Sequence, residues 1–584
     1  MKKKTKDHII KRSLKNIMQS EAIRAANQRR YREGIKAFEQ LKARCKDPMT
    51  VNRELLLRIL RENENTEYGR KYDFRNIRTI RDFQEKVPVT LYADYSGYTD
   101  RMSRNGESNL ICAAPVDHYN GSSGTTGVVK TIPMPKPMRD IYMTYVTLNV
   151  CGVLADTIGD SWIDGRFIRL VECPSDEHFL PCGATFGSVT STMTKHYRPD
   201  AELLFTSPDE AIFPRSGTDT RYLHARFALM DPDATGCQVI YLSLLLVLFK
   251  YIENNWEMLV NDIETGTIDA SIELPFEVLN GLRGKIRPMP ERAAELRKIF
   301  SEGFGEPFVP KVWKNMKFIN GVGTGGFKAY ADTLRSRYTG EGIPFLKLGF
   351  VASEGAFTAP YRLNSDDTVL IPDSVFYEFL PLDAGDDFSK IVTIDGLEEG
   401  KDYEPIITNM GGFYRYRMRD AVRVVSGFEN TPTVEYLYRI DQTLNMLGER
   451  TTEEALRTAA NNTAAALGFE LVDFSVYADL KAMPPRYQYF LETGRNADEG
   501  SADTIRTKLE EELGKASPAM KNLIDRGVCQ HVKVSFLQPE TYALWRDLAI
   551  FNGASPNQLK PLHIIRTENQ RKFFSGMTEY SSEI

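Results

Sequence analysis

The chain has 584 residues, is 42% hydrophobic and 26% charged, and carries 74 basic against 79 acidic side chains, a formal net charge of −5. That balance belongs to a folded globular protein and excludes wholesale disorder, a collagen-like chain and a coiled-coil rod. It also excludes a global basic field for nucleic acid, and the length corresponds to three or four units of about 150 residues, or to one large lobe with a smaller one.

In chain order, residues 1–65 read as a helical lead-in. Little glycine or proline interrupts Lys11 to Leu60, and apolar residues recur at helical spacing in Glu54-Leu-Leu-Leu-Arg-Ile-Leu60. The basic start, Met1-Lys-Lys-Lys-Thr-Lys6, is expected to be a solvated helix end rather than a membrane contact. From about residue 110 to 430, short β-prone runs alternate with helices and glycine-rich corners. Strands are predicted at Phe167–Val171, Cys237–Tyr241, Phe345–Val351 and Val422–Val425, and helices at Asp140–Val153, Leu242–Asp262 and Pro290–Ser301. This alternation predicts an α/β lobe. After Asn430 the texture changes. Strand-like runs at Val434–Arg439, Phe469–Tyr477, Arg486–Leu491 and Val532–Phe536 surround helices at Thr452–Leu467 and Ala502–Gly514, the pattern of a small α+β domain. The expected division is residues 1–432, a hinge over 433–445, and a C-terminal domain over 446–584.

The seven cysteines, at 45, 112, 151, 173, 182, 237 and 529, form no CxxC pair and fit free thiols in a reducing compartment. No HExxH or paired His/Cys pattern occurs, which speaks against a zinc site. The apolar run Cys237–Phe249 is closed by Lys250 and is shorter than the roughly 20 residues of a membrane span, and no signal-peptide core follows the basic start. A cytoplasmic protein without stable membrane insertion is expected.

Three stretches carry chemistry. The first is Tyr119-Asn-Gly-Ser-Ser-Gly-Thr-Thr-Gly-Val-Val-Lys130. Gly121, Gly124 and Gly127 let backbone N–H groups point into one concavity, Ser122, Ser123, Thr125 and Thr126 add hydroxyls, and Lys130 adds a compact cation. The spacing is not that of the common P-loop, whose lysine directly follows its last glycine. A flexible Ser/Gly linker is the alternative, and the lysine three residues after Gly127 favours phosphate binding. The second is Leu348-Gly-Phe-Val-Ala-Ser-Glu354-Gly, an apolar strand delivering a Ser–Glu pair into a glycine corner. A carboxylate there suits Mg²⁺, which takes one or two carboxylates plus phosphate oxygens; a turn-capping surface glutamate is the alternative. The third is Tyr414-Arg-Tyr-Arg-Met-Arg-Asp420. On a strand, Arg415, Arg417 and Arg419 would share one face and Asp420 would begin the other, placed to accept ribose hydroxyls. An exposed, salt-bridged edge strand fits the segment equally well.

The loop resembles the phosphate loop of adenylate-forming enzymes, and the second stretch resembles their Tyr-Gly-x-Thr-Glu motif. Together with Leu370-Ile-Pro-Asp-Ser-Val-Phe-Tyr-Glu-Phe-Leu-Pro381, Trp256–Gly266 and Gly553–Lys560, the ordered set over residues 50 to 565 resembles the auxin-responsive (Gretchen Hagen) acyl acid–amido synthetases and their bacterial relatives. The resemblance implies a large multi-sheet N-terminal adenylating domain with a small α+β C-terminal domain. It implies ATP and Mg²⁺, a small aryl or alkyl carboxylic acid as substrate, and an amine acceptor, expected to be an amino acid. By carry-over, Lys130, Glu354 and Arg450 would be catalytic, with Glu354 on the metal. Ser122, Ser123, Gly124, Thr125, Thr126, Gly127, Thr324, Gly325, Phe350, Ser353, Arg417, Asp420 and Arg439 would line the nucleotide, Phe350 against adenine and Asp420 on the ribose. Helix Met138–Val153 and the segment Phe179–Thr194 would wall the acyl pocket.

Three departures stand out. Arg419 replaces the family glycine, Arg450 stands where plant members carry a lysine, and the loop is one residue shorter than the plant form. Two other functions stay open on this reading, an acyl-CoA ligase and an inactive ATP-binding or interaction protein. No base for the amine is identifiable, and His118 reads equally as a packed or a catalytic histidine.

Overall fold

A computed structural model of the chain describes residues 2–123, 129–173, 178–324, 328–440, 443–444, 446, 449, 451–494, 497–552, 559 and 561–582. The chain divides into two compact units, residues 1–418 with 422–436, and residues 437–584 with 419–421.

The first unit opens with α1 (Lys2–Cys45) and α2 (Pro48–Glu62). Asp47 caps α2 by accepting from the Thr50 N–H, and Pro48 sits at its first turn, where its missing N–H costs nothing. A helical run over Lys136–Ile158 has a π-helical centre at Tyr142–Leu148. It is long and apolar enough to cross a membrane by length and composition, and its buried side packs on α1. There Gly34 and Gly152 let the two backbones touch: a Cβ on Gly152 would lie 2.2 Å from the Gly34 carbonyl oxygen.

Strands follow in chain order: β1 (His118–Ser123), β2 (Val129–Pro133), β3 (Phe167–Leu170), β4 (His178–Phe179), β5 (Thr185–Gly187), β6 (Gly236–Tyr241), β7 (Phe318–Val322) and β8 (Phe345–Lys347). They form two sheets, β2-β1-β5-β4 and the parallel β3-β6-β7-β8. In the parallel sheet, period-two alternation sends Ile168, Cys237, Ile319 and Phe345 into one core with helices Thr220–Met230 and Leu242–Thr265. Phe167, Phe318 and Leu346 enter another core, beside α1 and helix Asn149–Ile158.

The chain continues through β9 (Val351–Ala352), β10 (Gly355–Ala356), β11 (Thr358–Ala359), β12 (Thr368–Leu370), β13 (Phe376–Pro381), β14 (Asp402–Thr408), β15 (Tyr416–Arg417), β16 (Asp420–Phe428) and β17 (Thr431–Arg439). Strands β11 to β17 make a seven-stranded sheet, and β9 and β10 form a separate hairpin.

The second unit holds β18 (Thr443–Leu444), β19 (Thr451–Thr452), β20 (Leu471–Asp479), β21 (Arg486–Thr493), β22 (Lys533–Leu537), β23 (Ile564–Ile565) and β24 (Thr578–Ser581). Its five-stranded sheet, β23-β20-β21-β22-β24, packs helices Glu453–Leu467 and Ala502–Ala516 over a core that includes Leu456, Val476, Leu491, Leu509 and Phe536. The fold is α/β with several sheets in the larger unit and a small α+β C-terminal unit. Sequence reading missed the helices Pro518–Asp525, Thr541–Phe551 and Glu568–Gly576 and the strands β23 and β24.

Candidate active site

The site grows from two hairpin corners. Strands β1 and β2 pair antiparallel, with Ser122 opposite Lys130 and Ser123 opposite Val129. Ser122 and Ser123 are the last two residues of β1. Gly124, Thr125, Thr126 and Gly127, the heart of the predicted phosphate loop, lie outside the described residues. Gly121 is required by packing, since a Cβ there would lie 2.6 Å from the ring of Phe186.

The second corner is the two-residue connection Ser353–Glu354 between β9 and β10, where Ala352 opposes Gly355. Gly349 lies so close to strand β11 that a Cβ would fall 2.1 Å from the Thr358 carbonyl oxygen. The two corners are tied together. Asn120 Nδ2 donates to the Ser353 carbonyl at 2.9 Å, and Ser353 Oγ donates to the Gly121 carbonyl at 3.5 Å. Asn409 Nδ2 donates to the Glu354 carbonyl at 2.8 Å, while its Oδ1 accepts from Gly411 and Phe413. Tyr142, on the helical run, donates to the Ala352 carbonyl. Burial, with the Glu354 charge beside it, holds the Tyr142 phenol well above its ordinary pKa, so it stays a neutral donor.

Lys130 and Glu354 therefore meet. Their Nζ and Oε1 atoms are 3.8 Å apart, with side chains 17% and 6% exposed. Tyr416 bridges them from one side: its hydroxyl accepts from Lys130 Nζ at 2.9 Å and donates to Glu354 Oε1 at 3.3 Å. The rings of Tyr92 and Tyr416 lie 5.5 and 5.7 Å from the ammonium, within cation–π range. Tyr416 and Tyr92 were both missed. Tyr416 lies inside a motif whose predicted alternation turned it away from the arginines, and Tyr92 has no local cue in the sequence.

Phe350 is half-buried, with its ring 4.8 Å from Phe357 and 5.1 Å from Tyr436. Thr324 is buried just beyond β7, and Gly325 lies outside the described residues. Asp420 is buried as the first residue of β16, and Arg439 ends β17. Arg450 lies outside the described residues.

The arginine motif is corrected by the structure. Arg415 and Arg419 have φ of 48° and 58°, so the run is broken on both sides of the two-residue strand β15 and its arginines do not share a strand face. Arg415 is buried and bidentate on Glu378. Arg417 is bidentate on Glu404 and also bonds Asp386 at 2.7 Å. With its guanidinium so held, Arg417 ties β15 to β14 rather than facing a nucleotide. The motif is salt-bridged, as the alternative reading had it, but buried rather than exposed. Arg419 also explains the glycine of the resembling family: φ of 58° is left-handed backbone, which glycine adopts freely and other residues at a cost of roughly 1–2 kcal/mol.

His118 is a packed histidine. Its Nδ1 and Nε2 hydrogen-bond the hydroxyls of Thr185 at 2.8 Å and Thr192 at 3.1 Å. Burial, reinforced by the Arg139 charge, pushes its pKa down to about 4. Thr185 and Thr192 belong to the predicted Phe179–Thr194 wall, which lies alongside β1.

Family models match the chain in order along its length. The GH3 family N-terminal domain covers residues 37–345, the central domain 368–439 and the C-terminal domain 453–569. Among curated proteins, indole-3-acetic acid-amido synthetase GH3.8 of Oryza sativa subsp. indica is 28% identical over 553 residues, covering 90% of this chain and 90% of that protein. The 4-substituted benzoates-glutamate ligase GH3.12 of Arabidopsis thaliana is 26% identical over 584 residues, covering 92% and 98%. Among solved structures, the GH3.15 acyl acid amido synthetase aligns with a TM-score of 0.81 at 23% identity, covering 93% of this chain and 96% of that one. A 2-hydroxyisobutyryl-CoA ligase in the postadenylation state aligns with a TM-score of 0.52 at 12% identity, covering 90% and 91%. These last two likenesses concern the fold.

Proposed function

The chain belongs to the GH3 family, and from that membership we propose that it is an ATP-dependent ligase joining a small organic acid to an amine, with AMP and pyrophosphate as products. The relatives named above are an amido synthetase and a benzoate–glutamate ligase, which supports an aryl or alkyl acid and an amino acid as the substrates here. The observation that carries the reading is the convergence of Lys130 and Glu354 where the glycine–hydroxyl hairpin meets the Ser353–Glu354 corner.

In the first half-reaction the substrate carboxylate attacks the α-phosphorus of ATP. The bond to the β-phosphate oxygen breaks and pyrophosphate leaves. No protein nucleophile is required, because a carboxylate is already ionised at neutral pH. Lys130 supplies compact positive charge toward the phosphates, and preorganised charge of this kind is worth most where water is excluded. In the second, the amine nitrogen attacks the acyl carbon, the C–O bond to AMP breaks, and the amine loses a proton. Placement of both reactants contributes a large share of the acceleration.

The residues present fit Mg²⁺. Glu354 offers one buried hard-oxygen donor, and Mg²⁺ needs only one or two carboxylates when phosphate and water complete its shell. When bound, the ion would neutralise charge on the departing pyrophosphate. Glu354 is the residue that would hold it. Asp420 on the ribose, Phe350 against adenine, a hinge over residues 433–445 and a cytoplasmic location belong to the same proposal. The seven free cysteines, six of them buried, support the last.

An acid panel in ATP–pyrophosphate exchange tests it. Exchange is expected with an acid, ATP and Mg²⁺ and with neither amine nor CoA. Exchange that appears only after an amine or thiol is added overturns the two-step scheme. AMP release with CoA and not with amino acids makes the protein a thiol ligase.

A further inference from the structure

We propose that Tyr416 is a positioning residue of this site, its hydroxyl giving Lys130 and Glu354 a shared neutral hydrogen-bond partner in place of a direct ion pair, so that one remains available to phosphate and the other to a cation. The inference rests on the functional reading above and adds a residue to it.

Three segments distant in sequence supply the cluster, Lys130 and Tyr416 alone being 286 residues apart. Tyr416 is 2% exposed, and its ring lies 4.9 Å from Phe413 at 33°. Its backbone is held by strand pairing to Ile407 of β14. A ring so packed has little freedom, which makes its hydroxyl a fixed reference point. A phenol has one proton to donate and lone pairs to accept, and here it gives the proton toward Glu354 and receives one from Lys130.

The 3.8 Å between ammonium and carboxylate is longer than the 2.7–2.9 Å of a direct charge-assisted hydrogen bond. Without the hydroxyl, ammonium and carboxylate lose the neutral partner they share, and closing to that direct contact is how each regains one. A closed pair in so little solvent satisfies itself, and separating it again exposes each ion to a desolvation penalty. Tyr92 completes the arrangement from the other side. Its hydroxyl accepts from the Thr131 N–H at 2.8 Å and so anchors β2 beside Lys130.

Tyr416→Phe keeps the ring and its packing and removes only the hydroxyl. We expect a folded protein whose KM for MgATP in pyrophosphate exchange rises about tenfold while kcat changes less than about threefold. ATP affinity measured by calorimetry at saturating Mg²⁺ should fall by a similar factor, a readout that needs no turnover. In a Glu354→Gln background, where no ion pair can close, Tyr416→Phe should change ATP affinity less than about twofold. Parental KM and affinity in Tyr416→Phe overturn the inference, as does an equal weakening in both backgrounds. A parent that binds ATP but exchanges pyrophosphate with no acid sinks the functional reading alone, and the affinity comparison still decides Tyr416.

Discussion

Glu354 and Asp420 are both buried carboxylates, yet the reading gives them different work and different failures. Glu354→Gln removes a charged oxygen donor at nearly constant volume. Loss of a preorganised electrostatic element of this kind should slow adenylation by about 10²-fold or more, read as pyrophosphate exchange. A rate within about threefold of the parent would remove Glu354 from the metal. Asp420→Asn should instead weaken ATP binding, by a few kcal/mol at most, with the exchange rate at saturating ATP less affected. Both residues could be picked out in the sequence because each sits in a local motif, Glu354 at a glycine corner and Asp420 after the arginine run. Tyr416 was not, because its role needs Lys130 and Glu354 in the same place. Arg417 shows the converse. An arginine among arginines read as a ligand group, and Glu404, thirteen residues away in sequence, claims it in the fold.

The contact of α1 with helix Asn149–Ile158 gives a test on the scale of elements. Alanine is favoured over glycine by about 1 kcal/mol inside a helix. At Gly152 that gain should be overridden, because the added Cβ meets the Gly34 carbonyl oxygen and backbone cannot step aside as a side chain can. Gly152→Ala should lower the melting temperature, at a cost of about 1–3 kcal/mol. Gly97, in helix Ala93–Asn105, has nothing within 4 Å of the same atom, so Gly97→Ala should stabilise by about 0.5–1 kcal/mol. A Gly152→Ala that stabilises as Gly97→Ala does would show that the helices do not meet at Gly34 and Gly152. Apolar periodicity located these elements well. The helix expected over Pro290–Ser301 spans those residues, and the one expected from Thr452 starts at Glu453 with Thr452 as its cap. Alternation failed at Tyr414–Asp420, because two positive φ angles break a run that composition reads as one strand.

Across the whole molecule, buried histidines pull the pH dependences of the units in opposite directions: His118 and His224 in the first unit are both lowered by burial to about 4, and His563 in the second is raised. His118 has a folded pKa of about 4, below the ordinary 6.5, so burial favours its neutral form. Its contribution is present above pH 6.5 and is lost as pH falls from 6.5 toward 4, where the unfolded chain binds the extra proton. His563, in the second unit, is the reverse. Burial alone would lower its pKa, but Asp473 at 3.0 Å and Glu453 at 2.8 Å raise it above 6.5. Its contribution is full below pH 6.5 and is lost as pH rises through the folded value. Calorimetry from pH 5 to 8 should show the first unit's transition rising with pH below 6.5 and the second unit's falling above it. His118→Gln should reduce the first unit's slope by about half, His224 keeping the rest, and His563→Gln should flatten the second unit's slope, each leaving the other unit unchanged. Slopes unchanged in both variants would mean that other groups set them.

The amino-acid sequence by itself determined the α/β class, the small C-terminal α+β unit, the order of the three motifs and the family. Each depends on residue type, period or local spacing, which a chain carries before it folds. Only the tertiary structure decided which charged groups come together and which are tied up in ion pairs. Lys130 and Glu354 come together because Asn120 ties the two corners, and Tyr416 reaches them because β15 pairs with β14. The physical reason is that a charge acts through what lies within a few ångströms of it. Those neighbours come from segments hundreds of residues away, where sequence spacing carries no information about distance.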